Sequence, residues 1–290
     1  MPDFRVQSSG LHFSGEMAIE HLPKPAVCAT SKTHMKLFIK SLALIAVIGI
    51  SLGLAGGQTL RRAEDYLSRG VSRAKSGDLE GAIADLNKAI EMVPKYSSAY
   101  SARGSVKKAM GDIEGAIVDY GRAIELTPDV AIPYYARGFL LLERKDFDGA
   151  IKDFDKAIEI QPNLAIVYRN RADAKRARGQ AGDAAAAKAD YGKVLEIEPQ
   201  NAEVYFERGA LRQTQTDIDG ALADYSKAIE INSEYADPYA ERGLILLGKG
   251  LDNDAEKDFA RYLELNKDGK DYLEQRIKYV RYQRDKKRKP

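Results

Sequence analysis

The side chains that most often carry catalysis or hold metals are missing from most of this chain. Its 290 residues include one cysteine, Cys28, and three histidines, His12, His21 and His34. From Met35 onward there is neither Cys nor His. This removes Cys–His nucleophile pairs, histidine acid–base chemistry and the usual zinc sites from that stretch. Carboxylate pairs and Ser–Lys arrangements remain, but no spacing singles one out. The expectation is a protein without catalytic residues, cofactor or metal. At a formal net charge of +2 there is no dominant basic field, which argues against a dedicated nucleic-acid binder.

The elements that position the remaining side chains begin after an unusual front end. Residues 1–34 show no period and mix Pro, Ser and His, so they read as disordered or as an early start, since Met35 opens a better leader. Met35 to Lys40 is short and basic, and Ser41 to Gly57 is an uncharged apolar run ending in small residues. That order predicts a secretory signal over 35–57, cut after Gly57, with an uncleaved membrane anchor as the alternative. A lipoprotein signal needs a cysteine where Gly56 and Gly57 stand. The corresponding location is exported and periplasmic, or held at the inner membrane with the following domain in the periplasm.

Beyond Arg61 the chain repeats itself. Gly70, Gly104 and Gly138 are spaced by 34 residues, as are Gly209 and Gly243, each preceded by Arg. Ala82, Ala116, Ala150 and Ala221 open a second string that ends in Asp. Lys88-Ala89-Ile90-Glu91 has counterparts at Arg122, Lys156 and Lys227, and Pro94, Pro128, Pro162 and Pro199 close the units. Glycine and alanine allow two helices to approach, and Tyr120, Phe154, Tyr191, Tyr225 and Phe259 are expected to fill the space between units. Gly77-Asp78, Gly111-Asp112 and Gly182-Asp183 read as a helix end followed by a carboxylate cap. The proline stops the second helix.

This period and its small, aromatic, small and proline offsets resemble the tetratricopeptide repeat family. The resemblance covers about two-thirds of the chain and implies an all-α fold. It is an α-solenoid of about six helix pairs in a right-handed superhelix, with a C-terminal capping helix. The units fall at 63–96, 97–130, 131–164, 165–201, 202–235 and 236–267, with the capping helix and basic tail at 268–290. Unit four departs from the pattern: Ala172 replaces the glycine, Lys188 replaces an apolar residue, and about three extra residues surround Gln180-Ala181-Gly182. Units five and six have Ser233 and Lys267 in place of the closing proline.

The resemblance also implies where a partner sits, because family members line a groove with fixed positions of each first helix. Carried over, these are Leu67, Val71 and Lys75, then Ser98, Ser101, Ser105 and Lys108, then Ile132, Tyr135, Phe139, Leu142 and Glu143. Units four to six add Ile166, Arg169, Asp173 and Arg176, then Glu203, Phe206 and Gln213, then Asp237, Leu244 and Leu247. Some members clamp a chaperone's terminal carboxylate with Lys and Asn. Leu67 and Val71 stand at those places here, which argues against that role. Ile132, Tyr135, Phe139 and Leu142 form an apolar patch suited to an extended segment or a helix face. Arg169 and Arg176 beside it are placed to meet acidic residues, and Phe206 extends the wall. The competing reading is that these apolar residues complete the chain's own packing.

Six arginines (Arg69, Arg103, Arg137, Arg171, Arg208, Arg242) keep step with six aspartates (Asp85, Asp119, Asp153, Asp190, Asp224, Asp258). Recurrence in every unit predicts intramolecular pairs. The functional expectation is a non-enzymatic adaptor binding a protein or peptide in its groove. The alternatives are a self-associating envelope assembly factor, or a polyanion or glycan binder using the tail from Arg281 to Pro290. Membrane contact is expected only through an uncleaved anchor or that tail.

Overall fold

The structure, a computed structural model, describes residues 54–288. Among these residues there are no strands and thirteen α-helices. The pairs are α1 (Leu54–Ser76) with α2 (Leu79–Met92), α3 (Ser97–Met110) with α4 (Ile113–Leu126), and α5 (Ala131–Glu143) with α6 (Phe147–Ile160). They continue as α7 (Ala165–Arg178) with α8 (Asp183–Ile197), α9 (Ala202–Thr214) with α10 (Ile218–Ile231), and α11 (Ala236–Lys249) with α12 (Asp252–Leu265). A single 3-10 turn, Lys267–Gly269, leads into α13 (Lys270–Arg288). From α1 to α12 each helix packs on its successor, and α13 packs on α11, the all-α solenoid arrangement. The leader expected at 35–57 lies outside the described residues except for its last four. No helix among the described residues is long and apolar enough to cross a membrane.

Local chemistry explains where the helices begin. Asp78, Asp112, Asp146 and Asp217 each stand before a second helix and accept a hydrogen bond from the N–H three residues on, at 2.9–3.1 Å. The residue there is glycine each time, and a Cβ on Gly81 would lie 2.1 Å from the Asp78 carboxylate, so the cap and the small residue require each other. Gly77 and Gly111 end the preceding helices at φ near +90°. Lys145 and Thr216 take the same left-handed turn without glycine, at φ 63° and 61°.

Unit four departs from the expected cap. Its first helix ends at Gly179 and its second is capped by Gly182, so Asp183 is already the first helical residue. The Asp183 carboxylate instead takes two bonds from Arg178, at 2.9 and 2.6 Å, and one from the Gln180 N–H at 2.9 Å. The extra residues lengthen the turn, and Asp183 ties it together.

The core is a row of small clusters, most of them drawing on one pair and on a helix of the next. The aromatic of each second helix does double duty. Tyr225 is fully buried and packs so closely over α9 that a Cβ on Gly209 would stand 2.8 Å from its ring, while Ile245 of the next unit joins the same cluster. Burial of such a ring is the main local stabilising contribution. Leu273 of α13 is buried among Leu244, Leu247, Phe259 and Tyr262, so the terminal helix seals the last pair.

Candidate functional site

The Arg–Asp ladder is complete, with each aspartate buried and each arginine partly exposed. All six arginines donate twice to their aspartates across the helix pair, at 2.5–2.9 Å. The aspartates are buried. Five of the arginines also lie over the ring of a tyrosine three residues earlier, at 4.9–5.8 Å. A further cation four residues on joins in four units: Arg73, Lys107, Lys175 and Arg212 reach the same aspartates at 2.8–3.1 Å. Sequence reasoning missed these, although the one-turn spacing was there to be read. Charged hydrogen bonds to Arg69 hold the Asp85 carboxyl below its ordinary range. With their charges met internally, these residues are scaffold.

The wall positions behave differently, because their partners sit one period away on the next first helix. On α5, Ile132, Tyr135, Phe139 and Leu142 are all half-buried. The Tyr135 ring lies 6.5 Å from Phe139 and 6.3 Å from Phe154, and its hydroxyl accepts from Asn170 on α7 at 3.3 Å. Burial pushes its phenol up to about 12. The Lys108 ammonium, from α3, sits 4.1 Å from the centre of the Phe139 ring. Burial lowers the Lys108 pKa, and no carboxylate approaches it within ion-pair distance among the described residues. The structure therefore gathers an apolar surface with an exposed cation against the ring at its edge.

One unit further on, the wall is charged. Arg169 donates to both Glu207 oxygens, at 3.1 and 2.6 Å, and to Glu203 at 3.0 Å. Tyr191 donates to Asp173 at 2.6 Å, while Arg176 meets Asp173 only at 3.7 Å. Burial raises the Glu207 pKa against the pull of Arg169. Arg169 thus spends its charge on its own chain, and Arg176 keeps more of its donors.

Several carried-over positions turn out to be packing. Phe206 is 7% exposed and lies between Tyr225 and Tyr235, with ring centres 5.7 and 5.3 Å away, so it offers a partner little surface. Gln213 accepts from the Tyr225 hydroxyl at 2.7 Å, and Leu67, Ser101, Leu244 and Leu247 are buried. Leu244 and Leu247 lie under α13. An open depression elsewhere, lined by Glu198, Pro199, Asn201, Ala202, Ile231 and Asn232, reaches the wall only at Glu203. Among the half-buried wall positions, Ile132, Tyr135, Phe139 and Leu142 are the apolar group gathered on one helix, with Lys108 against the Phe139 ring.

The family comparison matches this architecture. Residues 70–111, 106–144 and 215–250 match a TPR repeat family, and 131–164 match the tetratricopeptide repeat. The stretch between, with the insertion in unit four, lies outside those matches. No curated protein sequence matches the chain. Among solved structures the chain is similar to PilF of Pseudomonas aeruginosa, at 20% identity and a TM-score of 0.61, over 76% of this chain and 99% of that one. It is also similar to MamA, at 22% identity and 0.55, over 61% of this chain and 94% of that one. A third is YrrB, described as a TPR protein with an unusual peptide-binding site, at 20% identity and 0.53, over 59% and 86%. At these identities the likeness is one of fold. The chain carries tetratricopeptide repeats, and residues 54–288 build an α-solenoid from them.

Proposed function

We propose that this protein is a non-catalytic scaffold that holds a peptide segment or partner helix against Ile132, Tyr135, Phe139 and Leu142. One observation carries the reading. The charged residues repeated in every unit pair with one another within the chain, whereas Tyr135 and Phe139 have no identical counterpart in another unit and, with Ile132 and Leu142, are half-buried on a wall of first helices. A half-exposed aromatic pair on a rigid helix is suited to anchoring a partner side chain at little ordering cost on the receptor side. The peptide-binding site named for YrrB supports the same use of the fold. Crosslinked capture from whole cells, comparing wild type with Tyr135→Ala/Phe139→Ala after matching their folding, tests it. Proteins held by the wild type and released by the double variant support the reading; an unchanged catch overturns it.

The basic stretch at Met35–Lys40 and the uncharged run that follows support a further part of the proposal, that the scaffold works in the cell envelope after export. N-terminal sequencing of the protein recovered from a periplasmic extract checks this. A mature chain beginning near Gln58 agrees with cleavage, and recovery only in the cytoplasm contradicts export.

A further inference from the structure

The terminal helix presents a second, chemically distinct surface. One side of α13 is committed: Leu273 is buried, and Ile277 and Val280 pack on the same cluster. Arg276 donates to both oxygens of Glu241, and Arg284 to Asp252 at 2.6 Å and to the Leu247 carbonyl at 3.1 Å. The step from Glu241 to Arg276, 35 residues, is close to the 34 from Arg169 to Glu203. The helix therefore stands where the first helix of a seventh pair would stand, and its rotation is fixed.

The opposite side follows from the helical period. Lys278, Tyr282 and Lys286 form a row four residues apart, about 12 Å long, with Tyr279 and Arg281 flanking it. Tyr279 and Tyr282 are 64% and 63% exposed, among the most exposed large apolar side chains described. Lys278, Arg281 and Lys286 are exposed, and among the described residues no carboxylate pairs with them. Charge is divided along the chain accordingly. Residues 270–290 hold nine Lys and Arg against three Asp and Glu, a net of +6, whereas 54–269 hold 31 against 37, a net of −6.

We infer that this face of α13 docks on an anionic lipid surface, with the lysines and arginine over phosphate headgroups and the tyrosine rings at headgroup depth. Tyrosine favours that boundary because its ring is apolar and its tip is wet. A straight row of alternating cations and aromatics suits a plane. A net −6 body turned away from the surface orients the molecule. A symmetric α13–α13 pair is disfavoured, because it would oppose two faces of the same sign.

The test uses the full chain and measures co-sedimentation with phosphatidylcholine vesicles, with and without added phosphatidylglycerol. Binding to the neutral vesicles sets the baseline; the gain on anionic vesicles reports α13. The inference expects a gain that falls roughly fivefold for each cation neutralised in Lys278→Gln, Arg281→Gln and Lys286→Gln, and that shrinks at high salt. Tyr279→Ser/Tyr282→Ser is expected to weaken it further without changing helicity. No gain on anionic vesicles, or a gain untouched by the three glutamines, overturns the inference. So does light scattering in which the same substitutions abolish self-association and leave vesicle binding intact, which assigns the face to a second copy.

Discussion

The seam inside each helix pair and the wall formed by successive first helices use the same residue types for opposite ends. In the seam, an arginine and an aspartate meet across one pair, and six units repeat the arrangement. On the wall, an arginine reaches glutamates one period away between α7 and α9, and a second such pair, Arg276 with Glu241, joins α13 to α11. Repetition marks what the solenoid needs to stack, and a position that varies marks what one unit does differently from the others. Two carboxylates differ in sign: charged hydrogen bonds lower the pKa of Asp85 in the seam, and burial raises that of Glu207 on the wall.

Breaking the seam should cost stability and leave recognition alone. The largest effect is expected from Tyr225→Ala, which empties a fully buried ring site beside Phe206; the loss is about 4 kcal/mol, read by urea unfolding. Asp119→Ala removes the acceptor that Arg103 and Lys107 share at 2.7–2.9 Å and leaves two partly buried cations facing each other. Its expected cost is about 3 kcal/mol, and a change below about 0.5 kcal/mol, the size of an exposed pair, would refute the seam's structural role.

A smaller effect sharpens the contrast through pH. Because the folded-state pKa of Asp85 is lowered, its contribution is present above the ordinary aspartate range and is lost as pH falls through the depressed value. Glu207 has the reverse sign: its raised folded-state pKa favours the fold below the ordinary glutamate range, and that advantage disappears as pH rises through the raised value. Unfolding of Asp85→Asn should therefore show a flatter acid-side loss than wild type. Glu207→Gln should flatten the decline on the rising side. Equal pH profiles for both variants would contradict the distinction between seam and wall.

Much of the scaffold was legible in the chain because it is written several times over. The period, the small residues and the matched Arg and Asp each recur, so a single misreading is corrected by the next copy. What occurs once was harder. Asp183 looked like the caps at Asp78 and Asp112, but three extra residues moved the helix start, and its charge went to Arg178. Phe206 occupies a wall position, yet Tyr235, at the end of the same unit, closes over it. Arg169 looked available to a partner until Glu203 and Glu207 were found 34 and 38 residues ahead. That signal was present in the sequence, one period downstream, and is read by pairing each wall residue with its neighbour in the next unit.

The central claim is that partners touch the wall and not the outer helices. The most direct measurement places a photo-crosslinking residue at Leu142 on the wall in one sample, and at Val118, a 68% exposed position on the second helix α4, in another. The account predicts discrete adducts in living cells from position 142 and none above background from position 118. Adducts from 118 with none from 142 would contradict it and move the binding surface to the outside of the solenoid.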